Sequence, residues 1–246
     1  MANSLADDAK LRIICFGAHP DDCELKAGGT AALWAAKGHH VKFVAVTNGD
    51  IGHWRDNREV LAKRRKMEVE QCAKILGITT EILDIHDGEL EPTLANRKTV
   101  TRLIREWQAD IVMSHRPNDY HPDHRYTGVL VQDAAYMVAV PKFLPDVPVV
   151  KRNPVFMFYS DGFLKPSPFT ADVVVAIDAA MDKKVAGLEV MVSQFFEGGA
   201  LGGPELIAGD SRAQAKRRGQ VREAFLSRDK RTAQRFKERV AEMYGK

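Results

Sequence analysis

The chain has little cysteine, no long apolar run and almost no net charge. Its three cysteines, Cys15, Cys23 and Cys72, are odd in number and form no close pair, which argues against a disulfide framework. No apolar stretch approaches the ~20 residues that a membrane-spanning helix needs. Residues 1–10 contain no apolar stretch of the signal-peptide type. We therefore expect a cytoplasmic protein without a membrane partner.

The charge balance gives no indication of a nucleic-acid partner. The formal net charge is +3, from 36 Lys and Arg against 33 Asp and Glu. Basic residues crowd into residues 212–246, but acidic residues are interspersed there, which predicts a solvated helix face. A chain of 246 residues with 45% hydrophobic residues can bury one sizeable core. We expect a single domain over residues 1–246.

Apolar runs and helical patterns alternate over the first 140 residues. Strands are predicted at 11–17, 41–47, 80–85 and 110–114, and helices at 26–37, 57–76, 93–108 and 125–139. This alternation predicts an α/β fold with a doubly wound, mostly parallel sheet. The second half is less regular, with strands predicted at 155–159 and 172–177, a helix N-capped by Asp178, a glycine-rich loop at 197–209 and a helical tail at 211–243.

Two short motifs follow predicted strands. The first, His19-Pro20-Asp21-Asp22-Cys23-Glu24, follows the first strand and crowds an imidazole against adjacent carboxylates, which are suitable zinc ligands. The alternative is a polar loop in which an aspartate caps the next helix. The second, Tyr120-His121-Pro122-Asp123-His124, follows the fourth strand. Its two histidines either share one metal, or divide metal and substrate between them, or belong to a surface loop.

Both motifs contain His-Pro-Asp, and the topology brings them together. Ligands of open parallel sheets bind at the carboxyl ends of the strands. The loops 18–25 and 115–124 both lie at that edge, so the sequence predicts one metal site built from two loops.

These motifs resemble those of the LmbE-like, or PIG-L-like, zinc de-N-acetylases. The resemblance rests on AHPDDCE at 18–24 and HPDH at 121–124, and extends to TNGD at 47–50 and to Arg65, Glu68 and LG at 76–77. It implies a Rossmann-like three-layer sandwich, and hydrolysis of an N-acyl amide, commonly on a glucosamine-type sugar. The core motifs fall within residues 11–130, which leaves 141–246 for substrate loops and a C-terminal helical stretch.

The resemblance also implies roles for individual residues. The zinc ligands would be His19, Asp22 and His124. Asp21 would be the general base that deprotonates the attacking water, and His121 would face the substrate carbonyl or the leaving amine.

The surrounding residues are assigned from the same resemblance. Asp123 would orient His121, and Arg65 and Asp87 would contact the substrate. Some family members place a tyrosine two residues before the position of His121. Here Asp119 occupies that position and Tyr120 follows it, so tyrosine assistance to the oxyanion is not implied by position.

The other polar residues near the motifs are given structural roles. Cys23 is predicted to pack, because a thiolate ligand would quench the Lewis acidity of zinc, and Glu24 to form a structural hydrogen bond. Structural or surface positions are predicted for the remaining histidines: His39, His40, His53, His86 and His115.

Three alternatives stay open beside a zinc deacetylase for N-acetylglucosamine-type compounds. One is an amidase of the same family acting on thiol-sugar conjugates or acylated antibiotics. Another is a metal-stabilised module that binds a small molecule without turnover, which would not need Asp21 beside the ligands. A nucleotide-binding module is disfavoured, because acidic groups after the first strand repel phosphate. The ligand set also accepts other divalent transition metals, and homo-oligomers are possible.

Overall fold

The computed structural model describes residues 10–207 and 209–245. The prediction about signal-peptide character concerns residues 1–10, of which all but Lys10 lie outside the described residues. Within the described ranges, no helix is both long and apolar enough to cross a bilayer.

The described residues form one sheet with helices on both faces. The strands are β1 (Arg12–Gly17), β2 (His40–Ala45), β3 (Thr79–Ile82), β4 (Ile111–Ser114) and β5 (Val155–Phe158). The helices are α1 (Asp22–Ala36), α2 (Arg58–Leu76), α3 (Leu94–Trp107), α4 (Pro122–Met137), α5 (Met181–Glu189), α6 (Val192–Phe195), α7 (Ser211–Arg235) and α8 (Lys237–Tyr244). Every strand pair is parallel, which confirms the predicted α/β class.

The order of the strands is β3-β2-β1-β4-β5. β1 lies in the centre, and Ile13, Ile14, Cys15 and Phe16 are fully buried because helices cover both faces. One core contains residues of α1, α2 and α5, and the other contains residues of α3 and α4. These two cores and the sheet between them make the three-layer sandwich that the resemblance implied.

The chain changes direction across the sheet between β1 and β4. It runs from β1 to β2 and β3 on one side, then crosses over to β4 on the other side of β1. Such a switch point opens a crevice at the carboxyl ends of the two strands. The segments 18–21 and 115–121, which follow β1 and β4, therefore flank the same crevice.

Helices α1 and α4 begin earlier than predicted. α1 begins at Asp22, where the helix N-terminus stabilises the carboxylates of Asp22 and Glu24 in its first turn. α4 begins at Pro122, whose fixed φ suits the first helical position, and the His121 side chain caps it by accepting from the amide of Asp123. Both motifs thus join a loop to the first turn of a helix.

Two predictions in the second half are wrong. Residues 172–177 do not join the sheet, although their valines favour strands; they run beside α8, where the carbonyl of Asp172 accepts hydrogen bonds from Arg239. Asp178 does not cap a long helix, because residues 178–180 form a 3-10 turn and α5 begins only at Met181. The strand propensity of residues 172–177 did not determine their structure, because tertiary packing overrides propensity.

A buried arginine fixes the C-terminal end of α4. Arg105, on α3, is 0% exposed. Its guanidinium donates to five backbone carbonyls, at 2.5–3.1 Å: Met137, Val138, Val140, Leu144 and Val147. The last carbonyls of a helix have no partner within it, so this side chain satisfies α4 and the segment after it.

We predict that Arg105→Lys destabilises the fold strongly. A single ammonium cannot reach carbonyls that the planar guanidinium bridges, so several buried acceptors lose their donors. The expected loss in the free energy of unfolding is about 3 kcal/mol or more, measured by urea denaturation. The matched control is Arg102→Lys on the same helix, whose exposed ion pair with Asp146 contributes at most about 1 kcal/mol. Equal stability of the two variants would contradict this assignment.

Candidate active site and metal centre

Contacts with the backbone fix the side chains of the turn that follows β1. The amide of His19 donates to the Asp22 carboxylate at 2.8 Å, and the turn is so tight that a Cβ on Gly17 would lie 2.7 Å from the Asp22 Cβ. Glycine is therefore required at the end of β1. The contact fixes the direction in which Asp22 and His19 present their side chains.

Three donor atoms from the two motifs meet in one triangle. His19 Nδ1 lies 3.5 Å from Asp22 Oδ2 and 3.2 Å from His124 Nε2, and His124 Nε2 lies 3.4 Å from Asp22 Oδ2. Tetrahedral zinc with ligand bonds of about 2.1 Å separates its ligand atoms by about 3.4 Å. The spacing and the chemistry of this imidazole, imidazole and carboxylate set therefore fit a zinc ion.

The far nitrogen of each of these imidazoles faces carboxylates. His124 Nδ1 lies 3.2 Å from Asp119 Oδ2, and His19 Nε2 lies 3.0 Å from Asp87 Oδ1 and 3.2 Å from Asp123 Oδ2. A carboxylate behind a metal-binding histidine fixes the ring and raises its basicity. Both rings therefore have the support that metal-ligating histidines require.

Buried carboxylates surround the imidazoles of His19 and His124. Burial lowers the pKa of His19, but hydrogen bonds to the surrounding carboxylates outweigh it and raise the pKa to about 12. The buried Asp22 carboxyl has its pKa held well below the usual range, because nearby imidazoles, above all His115, overcome the opposing effect of burial. Carboxylates crowded in a buried site favour a bound cation.

Other groupings in the site are poorer candidates for a metal. His115 Nε2 lies 3.3 Å from Asp22 Oδ2, but this nitrogen already accepts a hydrogen bond from the backbone amide of Ala18. The His115 ring stacks on the ring of His124, with centroids 4.3 Å apart. His121 lies with His19 and His124 in a second possible set, but its Nδ1 already accepts the amide that caps α4.

Asp21 is held beside the triangle by an arginine. Arg65 Nη2 donates to Asp21 Oδ2 and to the carbonyl of Pro20, both at 2.8 Å. Burial raises the pKa of Asp21 to about 6, against the lowering effect of the Arg65 charge. Asp21 is therefore a carboxylate near neutral pH whose proton affinity is raised, as a general base requires.

His121 lies on the open side of the site. Its ring is 4.6 Å from the ring of His19 and 4.8 Å from that of His124, and the residue is exposed. Burial and the neighbouring His19 and His124 lower its pKa. A second molecule in the crevice can reach this ring.

The contacts of three predicted site residues differ from those expected. The Asp123 carboxylate, 0% exposed, lies against His19 and accepts from Gly88, so it does not orient the ring of His121; only its backbone amide reaches that residue. Residues two apart in a helix turn do not face each other. Arg65 is 2% exposed and Asp87 is 7% exposed. Arg65 contacts Asp21 and the Pro20 carbonyl, and Asp87 contacts His19, so each supports another residue of the site; their contact with substrate stays a prediction.

Two residues have larger roles in the site than the sequence predicts. His115 was assigned a structural or surface position, yet it is buried between Asp22 and the ring of Tyr159. Asp119 was noted only as the residue in place of a tyrosine, yet it supports His124. The position of His115 directly after β4 was the available signal. Tyr120 is 79% exposed and packs against Phe163 instead of entering the site.

The predicted packing role of Cys23 agrees with its surroundings. Its Sγ lies 3.4 Å from the Cys15 carbonyl and 3.4 Å from the Tyr159 hydroxyl, and burial raises the pKa of its thiol well above the usual value. Glu24 is buried, and burial raises its pKa to about 8. A neutral thiol and a readily protonated carboxyl add little charge behind the site.

His53 belongs to a separate network of ion pairs. His53 Nε2 lies 3.0 Å from Glu197 Oε2, and Arg64 pairs with both Glu197 and Asp56 at 2.7–2.9 Å. His53 Nδ1 accepts hydrogen bonds from the backbone amides of Arg55 and Asp56, while Nε2 faces Glu197 without a hydrogen bond to it. The ion pairs of Arg64 fasten the loop at 53–56 to Glu197.

Comparison with known proteins assigns the family. The sequence pattern of the PIG-L family, described as GlcNAc-PI de-N-acetylase, matches residues 14–135. The chain is 31% identical over 208 residues to a diacetylchitobiose deacetylase from Thermococcus kodakarensis, covering 79% of this chain and 74% of that protein. The crystal structure of the N,N'-diacetylchitobiose deacetylase from Pyrococcus horikoshii is 29% identical, with a TM-score of 0.69, covering 76% of this chain and 72% of that chain.

The same fold occurs in a protein with different chemistry. A 4-carboxy-2-hydroxymuconate hydratase from Pseudomonas putida KT2440 has a TM-score of 0.73 and 22% identity, covering 94% of this chain and 89% of that chain. That likeness concerns the fold alone and includes the second half of the chain. The closer sequence similarity to deacetylases, together with the matched pattern, shows that the chain belongs to the PIG-L family of de-N-acetylases and is a hydrolase of the N-deacetylase class.

Proposed function

We propose that the protein is a zinc-dependent deacetylase of an N-acetylglucosamine-type compound. The observation that carries the proposal is the triangle of His19 Nδ1, Asp22 Oδ2 and His124 Nε2, with sides of 3.2–3.5 Å. The relatives described above are named for acetylated amino sugars, which supports the substrate class. When bound, zinc supplies a Lewis acid that lowers the pKa of water and polarises an amide carbonyl.

In the proposed reaction Asp21 handles the proton of the attacking water. Water adds to the amide carbonyl carbon while its proton passes to Asp21. Arg65 holds the Asp21 carboxylate in place by a charge-assisted hydrogen bond, so the acceptor needs no reorientation during the step. A carboxylate positioned in this way contributes roughly 10²–10⁴-fold in rate.

His121 serves the other half of the reaction. Its exposed ring donates to the developing oxyanion or to the amine nitrogen. As the carbon–nitrogen bond breaks, the nitrogen takes the proton that Asp21 received from water, which returns Asp21 to a carboxylate. The acetic acid formed loses its proton, and acetate and a free amine leave the crevice. Asp87 and Asp123, in contact with His19, keep that ring in place throughout.

We predict that Asp21→Asn and His124→Ala fail in different ways. The Asp21 variant keeps about one zinc ion per chain and loses turnover by about 10²–10⁴-fold, since it lacks only the proton acceptor. The His124 variant loses zinc as well. Metal analysis and amine release from N-acetylglucosamine and diacetylchitobiose measure both effects. His40→Gln, at the opposite end of the sheet, serves as the control.

Either of two outcomes would refute this proposal. Wild-type turnover by the Asp21 variant would remove the general base. Absence of amine release by zinc-loaded wild-type protein from every N-acetylated sugar would remove the deacetylase reaction on this substrate class and favour another N-acyl substrate or a binding module.

We predict that Arg65→Met moves the acidic limb of the pH profile to higher pH. The base must be deprotonated, so activity is lost as pH falls through the pKa of Asp21. The Arg65 charge lowers that pKa, and its removal raises it, by about 1 pH unit or more. The measurement is kcat/KM against pH, with the melting temperature as a check on folding. Arg64→Met, which removes a neighbouring charge paired with Glu197, should leave the limb in place; an equal shift in both variants would contradict the role of Arg65.

A further inference from the structure

A cationic pocket lies beside the candidate active site. Its volume is about 280 Å³, and it is bounded by α1, by residues 160–162 after β5, and by α7. Six charged residues line it: Lys26, Asp161, Arg228, Asp229, Arg231 and Arg235. We refer to these six residues as the cationic pocket.

The two carboxylates of the cationic pocket are neutralised by cations from outside it. Asp161 forms a bidentate pair with Arg116 at 2.6 and 2.7 Å. Both oxygens of Asp229 lie 2.7 Å from the ammonium of Lys184. The positive charges of the pocket are therefore not neutralised by its own carboxylates.

Two of the four cations in the pocket donate to backbone carbonyls, and the other two are free to bind a ligand. Lys26 donates to the carbonyl of Ser160 at 2.8 Å, and Arg235 donates to the carbonyl of Asp161, so neither is paired with a carboxylate. Within the ranges that the structure describes, the guanidinium groups of Arg228 and Arg231 form no ion pair and no hydrogen bond. Burial and the nearby Arg228 lower the pKa of Lys26, so the cations repel one another.

The cationic pocket is close to the proposed catalytic residues. Lys26 follows Asp22 by four residues on α1, and such residues lie on one face of a helix about 6 Å apart. Asp161 is held by Arg116, which directly follows His115. Tyr159, two residues before Asp161, packs its ring against His115. These contacts place the pocket about one helical turn from Asp22.

We propose that the cationic pocket binds an anionic group, a phosphate or a carboxylate, carried by the N-acyl substrate. This inference rests on the proposed function, because it gives the substrate of that site a charged end. Arginine forks suit both anions, and each charged hydrogen bond strengthens binding. The small concave volume fits one such group, whereas a nucleic acid would require an extended basic surface.

The test compares charged and neutral substrates on the zinc-loaded protein. The substrates are N-acetylglucosamine, its 1-phosphate, its 6-phosphate, and the 3-O-lactyl derivative that carries a carboxylate. Wild-type protein should favour at least one anionic compound over the neutral one by tenfold or more in kcat/KM. A phosphate or lactyl preference identifies which anion the pocket takes.

The double variant Arg228→Gln, Arg231→Gln should reduce this preference by on the order of tenfold or more. Lys230→Gln is the matched control, since it removes a positive charge from the same helix without lining the pocket. The preference should be unchanged in that variant. Equal rates on charged and neutral substrates in wild-type protein, or an equal preference in all three proteins, would overturn the proposal.

A binding measurement separates failure of this proposal from failure of the proposed function. Calorimetry compares the affinities of glucosamine and of its 1- and 6-phosphates without any turnover. Tighter binding of a phosphate that the double variant loses supports the pocket even if no substrate is deacetylated. Deacetylation with no effect of charge on binding or rate overturns the pocket and leaves the proposed function intact. Inhibition by single-stranded RNA with no sugar-phosphate preference would assign the cations to a nucleic acid, and likewise overturns the proposal.

Discussion

Parallel pairing of β1 with β4 is the constraint on which the site depends. The pairing aligns Ile13 with Ile111 and Cys15 with Met113, residues separated by about a hundred positions in the chain. Because the strands are adjacent and parallel, the segments that follow them leave the sheet at the same edge. Without that register, His19 and His124 could not approach within 3.2 Å of each other.

The charged residues at this edge of the sheet form an inner group around the imidazoles and an outer group around the cationic pocket. Carboxylates surround the imidazoles of the site, and Arg65 approaches from α2 to hold Asp21. Farther out, Arg116 and Lys184 neutralise the acids of the cationic pocket. Carboxylates around the central imidazoles thus give way, about one helical turn away, to the arginines of the cationic pocket. A substrate with an amide at one end and an anion at the other matches that arrangement.

Much of this could be predicted from the sequence, for identifiable reasons. The strand–helix alternation of the first half depends on local apolar periodicity, so the sheet and the edge carrying both motifs followed from it. The resemblance to the PIG-L family singled out His19, Asp22 and His124, and the structure brings their donor atoms within 3.5 Å of one another; their role as zinc ligands stays a prediction. The boundaries of α1 and α4 differ from the prediction because polar residues in a first turn do not look helical by hydrophobicity, although acidic residues are favourable there.

The details that failed depend on long-range packing. The direction of the Asp123 carboxylate is set by its place in the first turn of α4 and by the amide of Gly88. The hydrogen bond from Arg65 to Asp21 joins residues 44 positions apart in the chain, and only the fold reveals it. The valines of 172–177 favoured a strand, but the neighbouring segments packed against them are helices. None of these outcomes is encoded within a short window of sequence.

The two ends of α4 have separate tasks. Its first turn contributes His124 and Asp123 to the site, and the last turn is fastened by Arg105. A helix of 16 residues is about 24 Å long. Fastening the distant end restricts pivoting of the whole helix, so folding itself orders the side chains at the near end. The entropy of that ordering is lost during folding, and a ligand bound at the site proposed above would not have to supply it again.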